Sequence, residues 1–167
     1  VGFSVASTVL IGRKLGERDF VGLNNVGVNN LQIVFIFMFV CGLFFIIRRH
    51  ILPTFFTKPE DVDVVQLAAK LMIIAALFQL SDGIQVVALG SLRGIQDVKI
   101  PSIITFIAYW LIAIPLGYVL CVPLKMGAFG MWIALGLGLT VSAFLLVYRF
   151  LSLSQKKIVA FEKQKLV

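Results

Sequence analysis

The chain has 167 residues, of which 60% are hydrophobic and 14% are charged, and its formal net charge is +7. Its mean hydropathy is +1.03. Soluble domains are about half apolar and about a quarter charged, so this composition excludes an ordinary soluble fold and indicates a membrane protein. Cys41 and Cys121 both lie inside apolar stretches, and the single His50 has no second histidine or thiolate beside it. The sequence therefore predicts neither a disulfide framework nor a zinc site.

Apolar segments predict an all-α, polytopic transmembrane bundle of four complete spanning helices and one partial one. A complete span needs about 20 apolar residues. The predicted helices cover residues 1–16, 26–47, 64–93, 102–122 and 128–150, and residues 151–167 form a basic tail. The apolar part of the first segment, residues 1–11, is about half as long as a span. It is interpreted as the end of a helix whose beginning is missing.

Prolines mark several predicted helix ends. The stretch TKPED, residues 57–61, has a threonine suited to capping, a proline for the first turn and two acids beside the positive helix end, and so predicts a short helix on the membrane surface. Pro101 suits the first turn of the fourth span. Pro115 lies inside that span and predicts a kink, because it lacks a backbone N–H.

The distribution of basic residues predicts the orientation in the membrane. One set of alternate loops contains Arg13, Lys14, Arg18, Arg93, Lys99, Arg149, Lys156, Lys157, Lys163 and Lys165. The other contains Arg48, Arg49, Lys58, Lys70 and Lys125. The larger set is expected in the cytoplasm, together with the tail. Because the charges are divided among loops and contact anionic lipid headgroups, no nucleic-acid partner is expected.

One spacing occurs at two helix ends. GRKLGERD, residues 12–19, and GSLRGIQD, residues 90–97, both read G-x-x-x-G-x-x-D. Glycine permits a left-handed helix cap, and the aspartate can accept hydrogen bonds from backbone amides of the next turn. These segments are either two ordinary helix ends, or loops in which each acid also pairs with a base.

The third span contains an aspartate near its centre. In LMIIAALFQLSDGIQVVALGSL, residues 71–92, Asp82 lies almost midway. An ionisable group at the bilayer centre costs roughly 2.5–3.5 kcal/mol on insertion scales, so it usually faces a cavity and acts on ions, protons or substrate. Gln79, Asp82 and Gln85 recur every three residues and share one helix face. The alternative is a neutral Asp82 that is hydrogen-bonded between helices.

Neighbouring spans offer further polar side chains for such a cavity. The candidates are Asn29, Asn30 and Gln32 on the second span and Tyr109 on the fourth. Tyr109 and the adjacent Trp110 suit either a cavity or the lipid interface.

The Asp82 region resembles a known family. FQLSDGIQVVALGSLRGIQDVKIPSIITFIAYW, residues 78–110, is similar to a region of multidrug and toxic compound extrusion (MATE) transporters of the NorM type. The opening VGFSVASTVLIGRKLGERD, residues 1–19, resembles the end of an earlier helix in the same half of those proteins. On this resemblance, the five segments correspond to the last five helices of a twelve-helix, two-lobed bundle.

The resemblance implies antiport, in which sodium ions or protons enter while lipophilic, often cationic compounds leave. Asp82 aligns with the cation-coupling acid of the family, and a sodium ion bound there would be cargo; no cofactor is implied. A second acid of NorM-type proteins would precede Val1. The implied location is the bacterial inner membrane, and the implied partners are lipid, drug substrates and the N-terminal part of the same polypeptide.

Two other functions remain open from the sequence. A lipid-linked oligosaccharide flippase with a related bundle would be expected to place more cationic residues in its cavity than this chain does. A non-transporting membrane scaffold would give Asp82 no role. An enzyme is not expected, because the sequence contains no recognisable nucleophile, catalytic triad or phosphate-binding loop.

Overall fold

The structure is a computed structural model that describes residues 2–55 and 62–165, and all regular elements within these ranges are helices. They are α1 (Gly2–Gly16), α2 (Phe20–Arg48), a short 3₁₀ helix (Pro53–Phe55), α3 (Val62–Gly94), α4 (Lys99–Phe106), a π-helix (Ile107–Ala113), α5 (Ile114–Cys121) and α6 (Gly127–Lys165). Four described helical segments are long and apolar enough to cross a membrane, with α4, the π-helix and α5 together forming one. The predicted all-α transmembrane bundle is confirmed.

Helix α3 packs against α1, α2 and α6 and is the centre of the bundle. Small residues allow its neighbours to approach closely: a Cβ added at Gly83 would lie 2.6 Å from Cγ of Met38 on α2. One buried core lies at the end of the bundle that holds the α1–α2 and α3–α4 turns. It is made of Ile11, Leu23, Ala88, Leu92, Ile95, Leu146 and Phe150. This core holds the helix ends together and positions α3.

Two helices extend at least six residues beyond the predicted spans. Helix α2 begins at Phe20 rather than at residue 26, because Asp19 caps it: its Oδ1 accepts a hydrogen bond from the Gly22 N–H at 2.8 Å. Helix α6 continues to Lys165, so residues 151–165 of the predicted tail are helical. This extension packs on the start of α2, where the Ser154 hydroxyl donates to Asn24 Oδ1 at 2.7 Å.

Pro101 of the fourth span lies where it was expected, whereas the kink predicted at Pro115 stays a prediction. Pro101 lies in the first turn of α4. Before Pro115 the helix widens into the π-helix, in which the Ile114 N–H donates to the Tyr109 carbonyl five residues earlier. The proline cannot donate to the carbonyl four residues before it, and a π-type turn is a common way to accommodate such a break. The predicted surface helix at residues 57–61 lies outside the described residues.

The two G-x-x-x-G-x-x-D segments end their helices with the same hydrogen bonds. In each, the seventh residue (Arg18 or Gln96) donates its N–H to the carbonyl three residues earlier, at 3.2 and 2.9 Å. The eighth residue (Asp19 or Asp97) donates to the carbonyl five residues earlier, at 3.0 and 2.9 Å. This pair of bonds is the Schellman motif. The repeated spacing therefore corresponds to a repeated local structure.

The expected role of the glycines was wrong. The left-handed residues are Arg18, with φ 55°, and Gln96, with φ 67°. Gly94 is helical and faces α1, where an added Cβ would lie 2.9 Å from the Thr8 carbonyl oxygen. The second expectation, that each segment also pairs its own base with its acid, is confirmed for the first segment and wrong for the second. Lys14 contacts Asp19 at 2.9 Å and Arg149 contacts Asp97 at 2.6 Å, although Arg149 comes from α6 rather than from the same loop.

Candidate cation site on α3

Asp82 lies near the middle of α3, and its side chain is exposed. Within the described part of the chain it has no hydrogen-bond or ion-pair partner. An uncompensated carboxylate is costly at this depth of a membrane. The alternative in which Asp82 is hydrogen-bonded between these helices therefore has no support from its contacts.

The two glutamines of the same face have different partners. Gln79 donates from Nε2 to Sδ of Met38 on α2 at 3.4 Å. Gln85 is 5% exposed, and its Oε1 accepts a long hydrogen bond from the Tyr109 hydroxyl on the π-helix at 3.4 Å. Residues three apart in a helix are separated by about 60° around its axis, so Asp82 lies between the two amides. The carboxylate is thus placed between the side of α3 that contacts α2 and the side that contacts the π-helix.

Hydroxyl groups lie beside this face. Ser81 and Thr140 of α6 are 2.9 Å apart at their hydroxyl oxygens. Together with Asp82 and the oxygens of Gln79 and Gln85, they give this surface of α3 several oxygen atoms. Carboxylate, amide and hydroxyl oxygens are hard ligands, which bind small hard cations.

A groove of about 480 Å³ continues from the Gln85–Tyr109 contact towards the end of α3. It is lined by Leu89, Arg93, Ser102, Thr105, Phe106, Tyr109 and Trp110. Trp110 is exposed and stacks on Phe106, with ring centroids 5.8 Å apart. The structure therefore places Tyr109 near the candidate site and Trp110 on an aromatic wall beside it.

Neither of the predicted asparagines makes a hydrogen bond to Asp82 within the described residues. Asn30 donates to the hydroxyl of Ser7 at 3.2 Å, and Ser7 in turn lies 2.8 Å from the hydroxyl of Ser91. Ser91 is nine residues from Asp82, or about 13 Å along the helix axis. Asn29 is exposed on α2.

Gln32 of α2 lines a different groove, of about 580 Å³, with residues of α2, α3 and α6. Its neighbours on α3 include Ile84, which lies about 160° around the helix from Asp82. Gln32 therefore faces a different side of α3. The serine cluster of α1 and α3 was missed from the sequence, although Ser7 and Ser91 inside apolar segments were a visible signal.

Comparison with known proteins agrees with this architecture. Residues 1–119 match the family described as MatE. A probable multidrug resistance protein NorM of Rhodopseudomonas palustris is 37% identical over 162 residues, which is 96% of this chain and 34% of that protein. A multidrug resistance protein NorM of Photobacterium profundum is 36% identical over 153 residues, which is 89% of this chain and 33% of that protein. The chain thus spans about a third of the length of these relatives.

The fold is also similar to a solved structure, that of the eukaryotic MATE transporter AtDTX14. The TM-score is 0.82, and the match covers 93% of this chain and 35% of the other. Sequence identity is 20%, so this likeness concerns the fold alone. The match to the family and the identity with the NorM proteins confirm the predicted resemblance. The chain therefore belongs to the MatE family, and it is an integral membrane protein.

Proposed function

We propose that this chain is part of the C-terminal lobe of a cation-coupled antiporter that exports lipophilic, often cationic drugs and toxic compounds. The observation that carries the proposal is Asp82 itself, an exposed and unpaired carboxylate near the middle of a membrane-spanning helix. In an intact transporter, this uncovered face of α3 would line the cavity between two lobes. The remaining lobe would be supplied by the same polypeptide, as the greater length of the relatives suggests.

Coupling follows from competition for one negative charge. A carboxylate shielded from water holds either a proton or a cation, since an isolated charge is costly there. A cationic substrate and the driving ion would therefore exclude each other from Asp82. Exchange needs only that the two loaded states favour opposite orientations of the lobes.

Either a proton or a sodium ion suits the groups around Asp82. A proton needs the carboxylate alone. A sodium ion would also use neighbouring oxygens, for which the amides of Gln79 and Gln85 are the candidates. These amides would position or solvate the bound ion, and Tyr109 would orient Gln85.

The proposed location is the bacterial inner membrane, with lipid as the surrounding partner. Contacts of α6 with the α3–α4 turn and the start of α2 gather Arg18, Arg149 and Lys157 at one end of the bundle. The excess of basic residues favours the cytoplasm for this end and for the end of α6. The proposed activity is transport, not catalysis.

Transport by the full-length protein that contains this chain tests the proposal. Purified protein in liposomes is given an inward-directed sodium gradient in one experiment and a proton gradient in another, and substrate movement is followed by fluorescence. Asp82→Asn should abolish gradient-driven transport of a cationic dye while the protein still unfolds cooperatively at a similar temperature. Asp82→Glu should keep part of the activity, because the charge remains.

Glu162→Gln is the matched control, since it also replaces a carboxylate by an amide but at an exposed position of α6 outside this site. Normal gradient-driven export by the Asp82→Asn protein would refute the role of the carboxylate, and absence of transport by the wild type under either gradient would favour a scaffold. Movement of a lipid-linked sugar with no movement of the dye would favour the flippase. The gradient that drives wild-type transport identifies the coupling ion.

A further inference from the structure

A cavity of about 370 Å³ lies away from the Asp82 site, where the extension of α6 meets the turn between α1 and α2. It is lined by Arg18, Phe20, Lys157, Ala160 and Phe161. The rings of Phe20 and Phe161 meet edge to face, with centroids 5.2 Å apart. The cavity therefore combines two cationic side chains with an apolar wall.

Neither cation is neutralised within the described residues. The side chains of Arg18 and Lys157 make no hydrogen bond or ion pair there. The acids beside Arg18 in the sequence, Glu17 and Asp19, are already paired with basic side chains of α1. The cavity consequently carries uncompensated positive charge that an anion would complement.

The position of the cavity fits the headgroup layer of a membrane. Phe20 lies six residues, or about 9 Å, before Val26, where the long apolar stretch of α2 begins. The headgroup layer adds roughly 5–8 Å to each side of the hydrocarbon core. Arginine and lysine side chains reach several ångströms towards such a layer while their stems stay on apolar surface.

We propose that this cavity binds the phosphate group of an anionic phospholipid of the cytoplasmic leaflet. Arg18 and Lys157 would donate hydrogen bonds to the phosphate oxygens, and the Phe20–Phe161 wall would pack against the glycerol and upper acyl chains. Basic pockets between helices at the membrane surface are suited to such headgroups. The inference depends on the proposed orientation and is independent of whether the protein transports drugs.

Lipid binding to the full-length protein tests this site. Purified protein in detergent is titrated with phosphatidylglycerol or with phosphatidylcholine of the same acyl chains, and retained lipid is counted by native mass spectrometry. Arg18→Gln and Lys157→Gln are compared singly and together. Gln is suited to position 18, because Gln96 occupies the equivalent left-handed position at the other helix end.

The wild type should retain phosphatidylglycerol in preference to phosphatidylcholine. Each single variant should bind phosphatidylglycerol about fivefold more weakly, and the double variant about 25-fold more weakly, if each cation contributes independently. The matched control is Lys156→Gln with Lys163→Gln, which removes the same charge from exposed positions of α6 outside this cavity. Its affinity for phosphatidylglycerol should match that of the wild type.

Equal loss of affinity in the control and the double variant would overturn the proposal, since general surface charge would then explain binding. Equal retention of both lipids by the wild type would overturn it as well. Inorganic phosphate is the third probe. If it displaces phosphatidylglycerol at equal concentration, the cavity is a site for soluble anions and the assignment to lipid is wrong.

Discussion

Arg149 of α6 donates a hydrogen bond from Nε to Oδ2 of Asp97 at 2.6 Å, joining the turn after α3 to the last membrane-spanning helix. The two side chains are only 24% and 17% exposed. Removal of either partner leaves the other charge largely shielded from water. The pair therefore belongs to the class of ion pairs whose disruption is costly.

We expect Arg149→Ala or Asp97→Ala to lower the free energy of unfolding by about 1–3 kcal/mol, because one charged group loses its partner. Thermal unfolding of both single variants and the double variant in detergent gives the coupling energy. The exposed pair Arg13–Glu17 is the control, and its disruption should change the unfolding temperature little. Purely additive effects of the Arg149 and Asp97 substitutions would contradict this prediction.

Close packing of α1 on α3 predicts intolerance at Gly90. A Cβ there would collide with the backbone carbonyl oxygen of Ser4 and lie 2.7 Å from its hydroxyl. Gly90→Ala should lower the free energy of unfolding by about 1–3 kcal/mol. Gly16→Ala, where a Cβ meets no atom within 4 Å, should be neutral or stabilising. Equal effects of the two substitutions on the unfolding temperature would refute the tight contact.

The amides of Gln79 and Gln85 should strengthen ion binding at Asp82 without supplying the negative charge. Gln85→Ala in the full-length protein should slow gradient-driven transport about fivefold, as expected for the loss of roughly 1 kcal/mol of ion or hydrogen-bond stabilisation. Gln79→Ala should have an effect of similar size. Initial rates over a range of ion concentrations are the measurement. Complete loss with either alanine variant would show that the amide is as essential as the carboxylate.

Orientation in the membrane is testable with introduced cysteines. In a background with Cys41→Ala and Cys121→Ala, a cysteine at Gln155 should resist an impermeant thiol reagent in intact cells, and one at Lys125 should react. Both positions are exposed. Permeabilised cells should label both and so show that each thiol is reactive. The reverse pattern in intact cells would place the end of α6 outside the cytoplasm.

Acid should weaken the cap at the start of α2. The hydrogen bond from Lys14 and the Gly22 N–H lower the pKa of Asp19 below its ordinary value of 3.8. Because this pKa is lower in the folded than in the unfolded state, the ionised carboxylate stabilises the fold at pH values above the unfolded-state pKa. The stabilisation is lost as the pH falls through the folded-state pKa. Asp19→Asn keeps a capping oxygen but has no charge.

The difference in unfolding temperature between wild type and Asp19→Asn should therefore be constant near neutral pH and shrink below about pH 4. Thermal unfolding over a pH series measures it. A difference that stays unchanged down to pH 2 would show that the charge of Asp19 contributes nothing to the fold.

The amino-acid sequence by itself determined which segments enter the membrane and where the carboxylate of Asp82 lies. Both depend on local properties, namely the length of apolar runs and the turn of about 100° per residue in a helix. The same local geometry placed Gln79 and Gln85 on either side of Asp82. The side-chain cap that Asp19 provides for α2 also follows from short-range spacing, whereas the predicted cap by Asp97 is not formed in the part of the chain that the structure describes.

Only the tertiary structure decided which distant side chains meet. As a polar residue in a membrane span, Asn30 was a candidate for lining the cavity. The crossing of α1, α2 and α3 instead places it against Ser7. Arg149 pairs with an acid 52 residues away, and the extension of α6 remains helical because it packs on the start of α2. Such contacts depend on helix packing, because buried polar groups bond whichever partner the crossing brings within reach.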